Sequence, residues 1–182
     1  LLNQIHSNKF YFIKKNYKFK NKKFKGDALI TNVKNFALGV LTADCVPILL
    51  YDKNQKIITA IHAGWKGVYK GIISRVVKFL IKKGSKPKDL IAVIGPCIAQ
   101  KNYEVQKDFK DKFIKKDKQS KKFFIIKKNK TYFSLNNYVY SQLKKLGIKN
   151  LEKINKDTFD PKNNFFSARR SIRNKEDDYG RN

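Results

Sequence analysis

The chain has 182 residues, and 42 Lys and Arg against 14 Asp and Glu give a formal charge of +28. With 41% hydrophobic residues it can bury a core, which excludes a disordered chain. Two Cys cannot build a disulfide scaffold, no apolar run nears the roughly 20 residues of a membrane span, and no signal-peptide pattern opens the sequence. The expectation is one cytoplasmic domain over residues 1–182 with no membrane partner. The absence of any Met predicts a lost N-terminal segment.

In chain order, residues 9–25 interleave Lys with aromatics, the pattern of one or two half-buried strands. Gly26-Asp27 makes a turn, and Ala28–Thr31 is a short buried strand. Further apolar strands are predicted at 36–41, 46–51 and 57–62. The last two flank the polar turn 52–56 and form a hairpin. Apolar residues Val68, Ile72, Ile73, Val76, Phe79 and Leu80 share one helical face, predicting a helix over 68–83 that Gly84 stops. Leu90–Ile94 is a strand leading into Gly95-Pro96-Cys97. A second helix spans 105–116, a second hairpin pairs 123–126 with 131–133, and Ser134 caps a third helix that ends near Leu146. No repeat or linker divides the chain. Mixed strands and helices indicate an α/β mixed (α+β) fold, a single domain of mixed β-sheets with flanking helices.

The charge first suggests nucleic acid or an anionic surface. However, 37 of the 42 basic residues are Lys and only five are Arg, and Lys is spread along the whole chain. Lys, Asn, Ile, Phe and Tyr share AT-rich codons, and nucleic-acid readers lean on Arg for bidentate contacts. The charge is therefore read as a solvated Lys background, and nucleic acid is not the expected partner.

Against that background the scarce residues stand out. His6 lies in QIHSN, Cys45 in TADCVPILLYD, His62 in AIHAGWKG and Cys97 in IGPCI. Imidazole and thiolate are the usual zinc ligands. If Asn54-Gln55 turns the hairpin, His62 opposes Pro47, and Cys45 lies two residues along as a diagonal neighbour. Should His6 converge on them, Cys plus two His would leave a fourth tetrahedral position open, the catalytic rather than the structural arrangement of zinc. Each residue has a plainer reading as core packing, and these spacings match no compact zinc signature.

A metal-free Cys/His hydrolase or deamidase is the alternative, with Cys45 or Cys97 as nucleophile, His62 as base and Asp44 as orienter. A third reading is a basic nucleic-acid-binding module using residues 9–25. Trp65 either stacks on a flat ligand or fills the core. Arg169 and Arg170, two of the five Arg, suit either a bidentate anion contact or a structural salt bridge.

Together the strings QIHSN, GDALITN, TADCVPILLYD, HAGWKGVYKGI, IGPCI, NYEV and FFSARRS closely resemble the YfiH-like, laccase-domain or "polyphenol oxidase" proteins, now regarded as purine nucleoside phosphorylases. Gly180-Arg181 echoes the family's closing GR, so the resemblance runs from residue 4 to 181. It implies one catalytic zinc held by His6, Cys45 and His62. It also implies phosphorolysis of adenosine, guanosine, inosine and methylthioadenosine, together with adenosine deamination. The implied partners are purine nucleosides and phosphate, with Arg169 or Arg170 inferred from charge as the anion contact. The sequence departs from the family in carrying Asp157 before Thr158, where Cys is common, and in its spacing between Arg170 and Gly180. The laccase label itself does not fit: a multicopper oxidase needs on the order of ten His, and this chain has two.

Overall fold

Alternation and turn chemistry dictate where the first strands run. A computed structural model describes residues 1–17 and 24–182. Strand β1 (Phe10–Ile13) pairs in parallel with β2 (Ala28–Thr31), whose four residues are all buried. Strands β3 (Val46–Asp52) and β4 (Ile57–Ala63) form the expected hairpin in the expected register, with Pro47 opposite His62. Asp52 Oδ1 accepts from the backbone N–H of Asn54 and Gln55, which closes the turn and fixes that register. Along β3, Val46, Ile48 and Leu50 are buried while Leu49 and Tyr51 face outward, the period of a sheet covered on one side.

Two expectations need correction here. The helix expected over 68–83 is two helices, α1 (Trp65–Tyr69) and α2 (Ile72–Lys82). Between them Gly71 adopts φ +85°, a left-handed conformation that ends one helix before the next begins. The apolar periodicity crosses the break because both helices bury residues in the same core: Val68 from α1, and Ile72, Ile73, Val76, Val77 and Leu80 from α2.

The strand expected at 36–41 is absent. Its end is held by the Gln4 amide, which donates to the Leu41 carbonyl and accepts from the Leu41 N–H. Phe36 and Leu38 pack instead on Leu2, Ile13 and Leu29. Of the strands expected over 9–25, β1 is present, and residues 18–23 lie outside the described residues.

Strand β5 (Leu90–Ile94) adds antiparallel to β3. A short strand β6 (Glu104–Val105) precedes α3 (Lys107–Lys116), two residues later than the helix start expected from the sequence. The second hairpin forms as β7 (Phe124–Lys127) and β8 (Lys130–Phe133), and helix α4 (Leu135–Lys145) follows. Ser134 occupies the cap position, but its hydroxyl donates to Asn136 Oδ1 rather than accepting a helical N–H. Strand β9 (Asn150–Lys153) and helix α5 (Ala168–Asn174) were not expected.

The result is a six-stranded mixed sheet in the order β1-β2-β4-β3-β5-β9 and a three-stranded antiparallel sheet β6-β8-β7. The smaller sheet joins the core through aromatic contacts. Phe109 and Phe113 of α3 stack at 4.7 Å, and Phe124 and Phe133 of the hairpin stack at 4.6 Å. No helix among the described residues is long and apolar enough to cross a membrane.

Candidate metal centre

Three segments bring the site together. His62 lies near the C-terminal end of β4, and Cys45 lies immediately before β3, just beyond the regular ladder. Asp44, with φ +78°, turns the chain there. His6 sits in the loop before β1 at φ +53°. The ligand atoms of His6, Cys45 and His62 all fall within 4.8 Å of one another, the one such His/Cys/Asp/Glu group among the described residues.

Bond lengths of about 2.3 Å for Zn–S and about 2.05 Å for Zn–N in a tetrahedron require an S···N separation of about 3.5 Å. Cys45 Sγ and His6 Nε2 are 3.6 Å apart. The donor set and this Cys–His separation fit a metal ion of the zinc type.

A residue that sequence reasoning took for part of a turn organises the cluster. Asp27, at the entry to β2, is fully buried. Its Oδ1 lies 2.9 Å from His62 Nδ1 and accepts from the His6 backbone N–H at 3.0 Å. Its Oδ2 accepts from the Ser7 N–H at 2.6 Å and the Ser7 hydroxyl at 2.7 Å. One carboxylate thus orients one imidazole and holds the loop that carries the other. Burial pushes the Asp27 carboxyl up, but hydrogen bonds from His62 and Ser7 together outweigh it and hold the group below its ordinary value. With Nδ1 of His62 facing this carboxylate, Nε2 is the ring nitrogen left for a metal. A buried Asp directly after Gly at a strand start, in GDALITN, was the available signal.

Burial, with Asp44 and Asp27 nearby, pushes the Cys45 thiol up to about 12. Burial and neighbouring His62 lower the pKa of His6, so its neutral, lone-pair form is favoured. Such a thiol is a poor free nucleophile, whereas a cation at the cluster would favour its thiolate.

The Asp44 role in the hydrolase alternative is corrected. Its carboxylate accepts from the Thr158 hydroxyl and the Arg169 N–H, each at 2.7 Å, and Asp27 is the partner of His62. Cys97 is buried in the core cluster, and its thiol is likewise pushed up to about 12. The unusual Asp157 ties loops together, accepting from the Ala99 and Phe159 N–H groups and the Asn102 amide.

The two late arginines fall elsewhere. The Arg170 guanidinium is committed to the carbonyls of Thr158, Phe159 and Phe165. Arg169 donates to the Glu104 carbonyl, lies over the Tyr103 ring and lines a separate cleft with Trp65. Trp65 is half-buried against Phe109, which favours packing over the ligand role. His6, Cys45 and His62 instead open onto a cleft of about 630 Å³ whose other walls include Gln4, Lys25, Tyr179 and Arg181.

This His/Cys/His geometry can be set beside known proteins. A family model described as "multi-copper polyphenol oxidoreductase laccase" matches residues 1–182. The chain belongs to this laccase-like YfiH family. A protein of the family from Rickettsia conorii named purine nucleoside phosphorylase is 46% identical over 149 residues, covering 81% of this chain and 61% of the relative. A protein of the same name from Rickettsia prowazekii is 42% identical over 173 residues, covering 94% of this chain and 70% of the relative. The chain therefore spans about two thirds of the length of these relatives. The crystal structure of the Bacillus licheniformis YfiH protein superposes with a TM-score of 0.87 at 32% identity, covering 99% of this chain and 70% of that one. The mixed α/β fold is thus the YfiH fold.

Proposed function

We propose that this YfiH-family chain carries the active site of a zinc-dependent purine nucleoside phosphorylase that also deaminates adenosine. The observation that carries the reading is the convergence of His6, Cys45 and His62 within 4.8 Å, with a buried carboxylate fixing two of the three. The names borne by the Rickettsia relatives supply the substrate class: purine nucleosides and phosphate.

In this reading His6 Nε2, Cys45 Sγ and His62 Nε2 hold the ion. Zinc supplies Lewis-acid polarisation of a substrate oxygen. The cleft beside the cluster orients the nucleoside and limits the water around the reacting bond. In phosphorolysis a phosphate oxygen bonds to the ribose anomeric carbon as the carbon–purine nitrogen bond breaks, yielding free purine and ribose 1-phosphate. In deamination water adds at the amino-bearing ring carbon and ammonia leaves. A cytoplasmic location is consistent with two free thiols, Cys45 and Cys97.

Incubation with adenosine and phosphate, followed by separation of adenine, inosine and hypoxanthine, tests the assignment. Adenine reports phosphorolysis, inosine reports deamination, and hypoxanthine reports both in sequence. Formation of none of these by zinc-loaded protein would overturn the reading, as would full activity in His62→Ala.

A further inference from the structure

A phosphorolytic site needs a place for an oxyanion, and the two arginines suggested by the sequence do not line the cleft that holds the His/Cys/His cluster. Two other cations do. Lys25 and Arg181 both line it, and no Asp or Glu does so among the described residues.

Arg181 arrives there because the end of the chain is stitched back onto the segment before Cys45. The Asn182 N–H donates to the Thr42 carbonyl at 2.8 Å, and the Thr42 N–H donates to the Asn182 carbonyl at 3.2 Å. The Asn182 side chain accepts from the Phe166 N–H and donates to the Phe166 carbonyl. Gly180, at φ +56°, lies so close to the Phe166 ring that a Cβ there would come within 2.5 Å of it. The guanidinium then stacks on Tyr179 at 3.9 Å from the ring centre. Stacking occupies one face of the guanidinium; in its plane Nη1 donates to the Gly180 carbonyl at 2.6 Å, and the Nε and Nη2 N–H groups are left for an oxyanion. Its contact with Asp178, at 3.4 Å between exposed side chains, is weak competition.

We propose that Arg181 and Lys25 form the anion subsite of this cleft, taking inorganic phosphate as co-substrate, with Tyr179 as the positioning residue for the guanidinium. The proposal rests on the phosphorylase reading, but binding and turnover can be separated.

Titration of inorganic phosphate into zinc-loaded protein, followed by calorimetry, tests it. Arg181→Gln and Lys25→Gln should each weaken phosphate binding by about five- to tenfold, as expected for loss of a partly exposed charge-assisted contact. Inosine affinity should stay within twofold. Lys130→Gln removes a charge from a different cleft and should leave phosphate affinity unchanged, and thermal melting checks that every variant is folded. Phosphate binding that survives the double Lys25/Arg181 substitution would overturn the subsite even if nucleosides are cleaved. Loss of binding in that double variant would support it even if wild-type protein cleaves no nucleoside. No saturable phosphate binding by wild type, or binding of inosine 5′-monophosphate alone through these two residues, would also overturn it.

Discussion

A carboxylate that is fully buried yet accepts hydrogen bonds from His62, the His6 backbone and both donors of Ser7 is held ionised, and its geometry passes to everything it touches. At the residue scale this makes Asp27 the positioning residue of the centre. Replacing such a partner of a ligating histidine typically costs about 10- to 100-fold in metal affinity. Asp27→Asn should therefore weaken zinc binding by that amount in competition against a chromophoric chelator, and unchanged affinity would refute the role. The depressed Asp27 pKa also fixes a sign. Because the folded value lies below the unfolded one, its stabilisation of the metal-free protein is fully present above about pH 4 and is lost as pH falls through the folded value. The lowered pKa of His6 acts in the same direction at higher pH: the unfolded chain binds more protons below its ordinary 6.5, so stability falls on acidification from there. Melting temperatures of metal-free protein should drop on acidification in both windows, and Asp27→Asn should remove the lower step.

Between β4 and α1, Gly64 shows how an element junction shapes the site. Its φ of −71° is open to any residue. A Cβ there, however, would lie 2.6 Å from His6 Cδ2 and 2.9 Å from Cys45 Sγ. The glycine is required by close approach of two ligands. Gly64→Ala should yield a folded protein, destabilised by about 1–3 kcal/mol through overpacking, with zinc affinity reduced at least tenfold. Wild-type affinity in a folded variant would contradict this account.

Much at this scale was legible in the sequence. The hairpin register followed from a polar turn between two apolar runs, and with it the proximity of Cys45 and His62. What escaped depended on long-range partners. Asn150-Leu151-Glu152-Lys153 has no strand pattern of its own and becomes a strand by pairing with β5. The 36–41 run has strand composition, but a Gln4 side chain takes the hydrogen bonds of Leu41. Asp27 read as a turn residue because its partners lie 20, 21 and 35 positions away.

For the whole molecule, the charge of +28 sets the field and the scarce residues set the chemistry. A Lys-rich surface raises the local concentration of anions and makes their association sensitive to salt. In the proposed reading the chemistry lies in one cleft, lined by His6, Cys45, His62 and Arg181 from separate stretches of the chain. The two histidines of this chain are too few for the copper sites of a multicopper oxidase, whereas in the proposed reading two histidines and one thiolate would hold a single zinc with a fourth position open. Metal analysis of purified protein tests this most directly. Wild type should bind close to one zinc per chain and His62→Ala far less. Zinc near zero in folded wild-type protein after equilibration with the metal, or equal zinc in the two proteins, would contradict the account.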